Sequence, residues 1–256
     1  MPALRQAAPA PPGDAMPGTA GEGLAALAGL APSAVLERRL DRAAPLLPSL
    51  EPRPHIDSPG WAALLDAVTV GETRFFRAAP QLLALRDLMP RLPGRPLRLL
   101  SAGCATGEEA WSLALLAEEA GIEAEVLGLD LNRLFLTEAA AGRYPAGPPD
   151  ALREVPLPFR ARFRQAEGWV RPLAARPPAF RRANLIDLPP GIGGFGAVLC
   201  RNVLIYLVPA ARHAVLRGLV DRLLPGGALL LGPTEFPAPG LPLLPEPGVH
   251  GVWRRA

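Results

Sequence analysis

The chain has no lysine: all 27 of its basic residues are arginine. Set against 24 acidic residues, this leaves a net charge of only +3. No basic stripe is interleaved with aromatics, which argues against a nucleic-acid surface. Cysteine is nearly as scarce. Cys104 and Cys200 have neither CxxC nor framework spacing, which excludes a disulfide scaffold and predicts reduced thiols in a cytoplasmic protein. His55, His213 and His250 stand apart from one another, so the spacing of a metal site is missing. No apolar run approaches the roughly 20 residues that cross a bilayer, and the N-terminus lacks the charged start and apolar core of a secretion signal. The excess is in proline, 33 residues, within a composition that is 49% hydrophobic. Over 256 residues this suffices for one α/β domain with a smaller companion.

Residues 1–22, rich in Pro, Ala and Gly without periodicity, read as a disordered tail. Residues 23–92 read as a helical region and linker. Within it Leu24, Leu27 and Leu30 mark one short helix, and Ser33 is placed to cap a second that carries Leu36 and Leu40. Arg38, Arg39 and Arg42 fall together on that second helix, as a solvated face or a contact for an acidic partner. The stretches WAALLDAV and RFFRAAPQLLALRDLM also read as helical, with Phe75 and Phe76 as helix packing. From residue 93 to 256 strands alternate with helices: strands at 97–102, 125–130, near 179–183, 195–200 and 227–232, helices at 107–120, 132–141 and 209–223. That alternation predicts a parallel sheet covered on both faces, closed by a C-terminal antiparallel hairpin. Between about 145 and 178 it breaks, and apolar residues around Glu167-Gly168 suggest an inserted β-hairpin.

Between the first strand and its helix lies SAGCATGEE, residues 101–109. A strand, glycine turn and helix is the usual cradle for phosphate, because backbone N–H groups and the positive helix end face the ligand. Here the spacing is not GxGxxG, no GK[ST] follows, and Glu108 and Glu109 sit in the first helical turn. Two carboxylates at that end repel phosphate and favour a cationic ligand such as S-adenosylmethionine; alternatively they only stabilise the helix. Asp130 ends the second strand, where an acidic residue can bind ribose hydroxyls or cap the next helix.

Four further stretches appear in order: VTVGETRFFR at 68–77, NLID at 184–187, LCRNVLIYL at 199–207 and LLPGGALLLGPTE at 223–235. With SAGCATGEE and GLDLN they resemble the CheR family of chemotaxis receptor methyltransferases, over about residues 60–256. The resemblance implies a Rossmann-like class I methyltransferase sheet, a short inserted β-hairpin subdomain and a reduced N-terminal helical region. It also implies S-adenosylmethionine-dependent methylation of glutamate side chains on a receptor or related signalling protein. Carried over, Thr73 and Arg77 line the cofactor and active site, and Gly103 the turn; Glu109 is the glutamate expected to touch the cofactor, at its methionine end. Asp130 meets the ribose, Asn184 and Leu185 the adenine, and Arg201 and Asn202 lie beside the cofactor. Arg77 and Tyr206 form the candidate catalytic pair. Arg38, Arg39 and Arg42 become the possible receptor contact.

The chain departs from the family pattern at Gly71, where Asn is usual, at Gly196, where Asp is usual, and at Pro233-Thr234 in place of His-Ser. Tyr206 alone reads equally as a core residue with a tethered hydroxyl. An S-adenosylmethionine-binding regulator with little turnover and a small-molecule methyltransferase are the competing readings.

Overall fold

Buried leucines, alanines and valines at alternate positions decide which way each central strand faces. The computed structural model describes residues 19–256, so positions 1–18 of the expected tail lie outside the described residues. Four helices come first: α1 (Ala20–Ala28), α2 (Ala34–Arg42), α3 (Pro59–Val68) and α4 (Ala79–Leu88). The alternating part follows as β1 (Leu97–Ala102), α5 (Glu108–Glu119), β2 (Ala124–Asp130) and α6 (Arg133–Ala141). The insert holds β3 (Tyr144–Pro145), a short α7 (Leu157–Arg160), β4 (Phe163–Ala166) and β5 (Trp169–Pro172). The chain ends with β6 (Ala179–Arg182), β7 (Phe195–Cys200), α8 (Pro209–Arg222), β8 (Leu223–Leu231), β9 (Leu243–Pro245) and β10 (Val252–Arg255).

The main sheet has seven strands in the order β6-β2-β1-β7-β8-β10-β9. The five from β6 to β8 are parallel, and β9 and β10 add the expected antiparallel hairpin. On β1, Leu97 and Leu99 join a core beneath α4, α5 and the insert, while Leu100 and Ala102 join a second core beneath α8. β7 and β8 divide the same way, with Ala197, Leu199, Ala228 and Leu230 on the first side and Val198, Cys200, Leu229 and Leu231 on the second. A sheet buried on both faces is the Rossmann-like arrangement expected. Its strand order reverses between β1 and β7, and the crevice outside the carboxyl ends of those strands is where such folds bind ligands.

Several local readings change: Leu30 lies beyond the end of α1, and the strand expected at 227–232 runs over Leu223–Leu231. α1 begins at Ala20, inside the stretch expected to lack structure, because Thr19 and Glu22 form a reciprocal capping box. RFFR is a turn rather than a helix. Pro80 has no N–H and is accommodated in the first turn of α4, and upstream of it Phe76 and Ala78 have φ of 54° and 55°. The turn sends the two rings apart. Phe75 meets the Tyr144 and Phe163 rings edge-on at 4.9 and 4.8 Å, fastening the insert to the sheet, and Phe76 packs on Phe159 at 4.7 Å. The insert itself has a third short strand, β3, paired with β5 beside the expected hairpin.

No helix among the described residues is long and apolar enough to cross a membrane. Cys104 and Cys200 are both buried and unpaired, and burial pushes both thiols well above their ordinary value, which makes them inert core residues.

Candidate active site

The carboxyl ends of β1, β2, β6 and β7 border one cleft. Thr73, Arg77, Gly103, Glu109, Asp130, Asn184, Leu185, Arg201, Asn202 and Tyr206 all line it. Its remaining wall comes from the N-terminal helices. Residues 29–31 run along the rim as a strap: the Val208 N–H donates to the Gly29 carbonyl and the Ala31 N–H to the Tyr206 carbonyl, both at 2.8 Å, around a bridge between Leu30 and Leu207.

The glycine turn uses most of its amides internally. The Gly103 and Cys104 amides donate to the Leu129 carbonyl at 2.8 and 2.9 Å, the Gly107 amide to Cys104, and the Ala105 amide to Asp130 Oδ2 at 2.8 Å. These four amides are committed to β2 and to the turn itself and are not offered to an anion. Glu108 does not face the cleft; it accepts from the Thr106 hydroxyl at 2.7 Å. Glu109 borders the cleft, but both of its oxygens are engaged: one accepts from Ser101 Oγ at 2.7 Å and the other from Arg201 Nε at 2.6 Å. Only 3% of the Arg201 side chain and 11% of the Glu109 side chain are exposed, so this is a buried ion pair.

The Arg201 guanidinium also donates through Nη1 to the Arg77 carbonyl at 2.7 Å and to Gln81 Oε1 at 3.2 Å. Its Nη2 is buried and has no partner among the described residues. An unsatisfied charged donor in the wall of a cleft costs free energy until something accepts from it, and a carboxylate on a bound ligand would do so. Asp130 accepts one backbone amide at each oxygen, from Ala105 and from Asn132 at 2.8 and 2.9 Å, which leaves lone pairs for ribose hydroxyls. These two features fit S-adenosylmethionine, which carries an α-carboxylate and a ribose.

Asp130 is not the cap of α6. That role belongs to Asn132, whose Oδ1 accepts from the Phe135 amide at 3.0 Å. Asn184 is near the cleft as expected, but its Nδ2 is committed to the Leu27 carbonyl at 2.7 Å, tying α1 to the loop after β6. Arg77 donates to the Glu72 carbonyl at 2.9 Å and lies 3.6 Å from the Glu72 carboxylate. Of the three arginines of α2, Arg38 and Arg42 are exposed, whereas Arg39 donates to the Thr69 carbonyl at 2.8 Å. The expected shared face is therefore reduced to two residues, since Arg39 satisfies the C-terminus of α3.

The departures from the family pattern have steric causes. A Cβ on Gly71 would stand 2.4–2.8 Å from three carbons of the Phe135 ring, so an asparagine there needs that ring to shift. A Cβ on Gly196 would meet Leu97 Cδ1 at 2.4 Å and the Pro93 carbonyl at 2.6 Å. Pro233 stands in the turn after β8, with the Glu235 amide closing it on the Gly232 carbonyl at 3.0 Å, a position where proline is favoured.

Two residues at the site went unread in the sequence. Gln81 donates to the Leu231 and Gly251 carbonyls at 2.9 and 3.1 Å while accepting from Arg201, joining α4 to the end of β8. Glu235, the last residue of GPTE, is only 5% exposed and accepts from backbone amides on both sides of the cleft wall. Gln81 carries no local signal, since its partners lie far away in the chain, whereas Glu235 ends the stretch GPTE, which is the signal that could have found it.

Burial pushes the Asp130 carboxyl up, against the opposing pull of the Asn132 and Ala105 amides. Its unfolded value is the ordinary one, about 4, so the folded protein holds this proton more tightly. The resulting stability is full below about pH 4 and is lost as pH rises through the raised value. Urea unfolding measured from pH 4 upward should show the wild type losing more stability than Asp130→Asn across that window. Parallel curves would mean that the carboxyl is not perturbed.

The fold and this cleft define a Rossmann-like protein of the class I methyltransferase type. A family model described as "CheR methyltransferase, SAM binding domain" matches residues 71–237. The chain belongs to the CheR methyltransferase family, whose matched domain binds S-adenosylmethionine. It is 37% identical over 192 residues to a probable biofilm formation methyltransferase, WspC, of Pseudomonas aeruginosa, covering 70% of this chain and 45% of that protein. It is 33% identical over 192 residues to chemotaxis protein methyltransferase 1 of the same organism, covering 67% of this chain and 68% of the relative. With a chemotaxis protein methyltransferase of Klebsiella aerogenes it shares 34% identity, over 73% of this chain and 66% of that one. The chain thus spans less than half of the first relative's length and about two thirds of the other two.

Proposed function

We propose that this chain transfers a methyl group from S-adenosylmethionine to glutamate side chains of a cytoplasmic chemoreceptor or related signalling protein, forming methyl esters. The observation that carries the reading is that Arg77 and Tyr206, distant in sequence, border one cleft with the buried Glu109–Arg201 pair. The names of the chemotaxis relatives support the choice of acceptor.

The bound cofactor would supply an electrophilic methyl on a sulfonium, whose sulfur keeps the C–S bonding pair as the carboxylate oxygen takes the methyl. A glutamate acceptor is already ionised at neutral pH, so no residue has to act as general base. What the chain must supply is position. The Arg77 fork orients the acceptor carboxylate, and the Tyr206 hydroxyl holds its second oxygen. Within the cofactor site, Arg201 Nη2 takes the cofactor carboxylate and Asp130 the ribose hydroxyls; Thr73, Gly103, Leu185 and Asn202 shape the wall. Arg38 and Arg42 are exposed on α2 and suit an acidic receptor helix. Residues 23–92 then act as the docking and covering region, and 93–256 as the catalytic domain with its insert. Two buried thiols support a cytoplasmic location.

The test is to incubate the protein with S-adenosylmethionine tritiated on the methyl and the cytoplasmic fragment of a chemoreceptor from the same genome. The expected product is a protein-bound label released as methanol by mild alkali. Retained binding of S-adenosylhomocysteine with no label on any receptor fragment would leave a binding module instead.

A further inference from the structure

We propose that Glu235 is the positioning residue that sets Tyr206 against Arg201, an inference that rests on the methyltransferase reading above. Its Oε2 accepts from the Asn202 and Gly232 amides, both at 2.8 Å. Its Oε1 accepts from Leu204 at 2.8 Å and from Ile205 at 3.3 Å. One buried carboxylate therefore gathers three amides from the segment after β7 and one from the end of β8. The chain is built around this contact. Asn202 has φ of 59°, a left-handed conformation that asparagine adopts more readily than most residues, and the Glu235 carboxylate accepts its amide there. A Cβ on Gly232 would stand 2.6 Å from Glu235 Oε2 and 3.0 Å from the Asn202 amide, so glycine is what admits the carboxylate.

The consequence for the site is unequal. Arg201 has its own anchors in Glu109, the Arg77 carbonyl and Gln81. Tyr206 closes the short 3-10 turn Leu204–Tyr206, and Glu235 holds the start of that turn. Removing the carboxylate frees the amides of Asn202, Leu204 and Ile205 that lead into Tyr206. Among the described residues Tyr206 then keeps only its main-chain bonds to Ala31 and Val203, whereas the Arg201 side chain keeps all of its anchors. Glutamine is nearly the same shape, yet it turns a donor NH2 toward two of these amides, so the charge and the second acceptor are both lost.

The experiment compares the full chain with Glu235→Gln and with Val220→Ala, a core truncation in α8 that supplies a destabilised control. Backbone amide exchange is followed over residues 202–205. In Glu235→Gln those amides should exchange faster, and turnover of the receptor fragment should fall by about tenfold or more while the Kd for S-adenosylhomocysteine moves by less than about threefold. Val220→Ala should lower the Tm and leave exchange at 202–205 and turnover as they were. Unchanged exchange in Glu235→Gln overturns the proposal, as does a loss of turnover no greater than that of the control. Should the wild-type chain label no receptor, the acceptor reading falls, whereas the exchange measurement still decides whether Glu235 holds the segment.

Discussion

Arg201→Met is expected to lower the folding stability by about 3–5 kcal/mol, because it strands the Glu109 carboxylate in a buried site without its partner. Urea unfolding measures this loss. The ion pair as a whole contributes much less than that figure, since both charges were stripped of water to form it. The double variant Arg201→Met, Glu109→Leu should therefore recover most of the lost stability, and it carries the test if the single variant does not fold. Cofactor binding follows a different rule. Neither variant retains the buried Nη2 donor, so neither should bind S-adenosylhomocysteine in a calorimetric titration at concentrations that saturate the wild type. Binding by the double variant would show that Arg201 serves the fold alone.

Arg77→Ala is expected to reduce methyl transfer by about 10²-fold or more while the protein stays folded and binds S-adenosylhomocysteine. Two features separate these effects. Arg201 uses the Arg77 carbonyl, which alanine keeps, so the cofactor side of the cleft is preserved. The ion pair of Arg77 with Glu72 is solvent-exposed on the Glu72 side, 66%, and such pairs add less than about 1 kcal/mol. Arg77→Lys should not restore activity, because an ammonium lacks the planar fork that aligns a carboxylate. The tritium-methyl assay with a receptor fragment reads both variants. An Arg77→Ala protein that labels the receptor at the wild-type rate would remove Arg77 from the reaction.

The sheet was legible because its strands are short apolar runs bounded by glycine and proline, and β1 and β7 were placed residue for residue. The ten candidate site residues share a cleft for the same reason: most lie just after strand ends, and a parallel sheet brings those ends to one edge. What each side chain does there was less legible. Asn184 and Glu109 line the cleft, but their polar atoms are committed to Leu27 and to Ser101 with Arg201, partners set by folding rather than by spacing. Gln81 reaches across the sequence in the same way and leaves no periodic trace, while Glu235 stands in the stretch GPTE without its partners being readable there. The Thr19–Glu22 box shows the opposite case: its spacing is a plain helix-start signal, obscured by the proline-rich tail before it.

The strap of residues 29–31 is where the N-terminal helices meet the ligand cleft. It is sewn to Tyr206 and Val208 by main-chain bonds, and Ala28, Leu30 and Ala31 form part of the cleft wall. A molecule lodged against that wall touches the seam, so its affinity is linked to whether the seam is closed. The reverse holds by linkage: a filled cleft holds the seam shut. A partner that grips α2 from outside, such as the acidic receptor helix proposed for Arg38 and Arg42, would by the same linkage be coupled to what occupies the cleft.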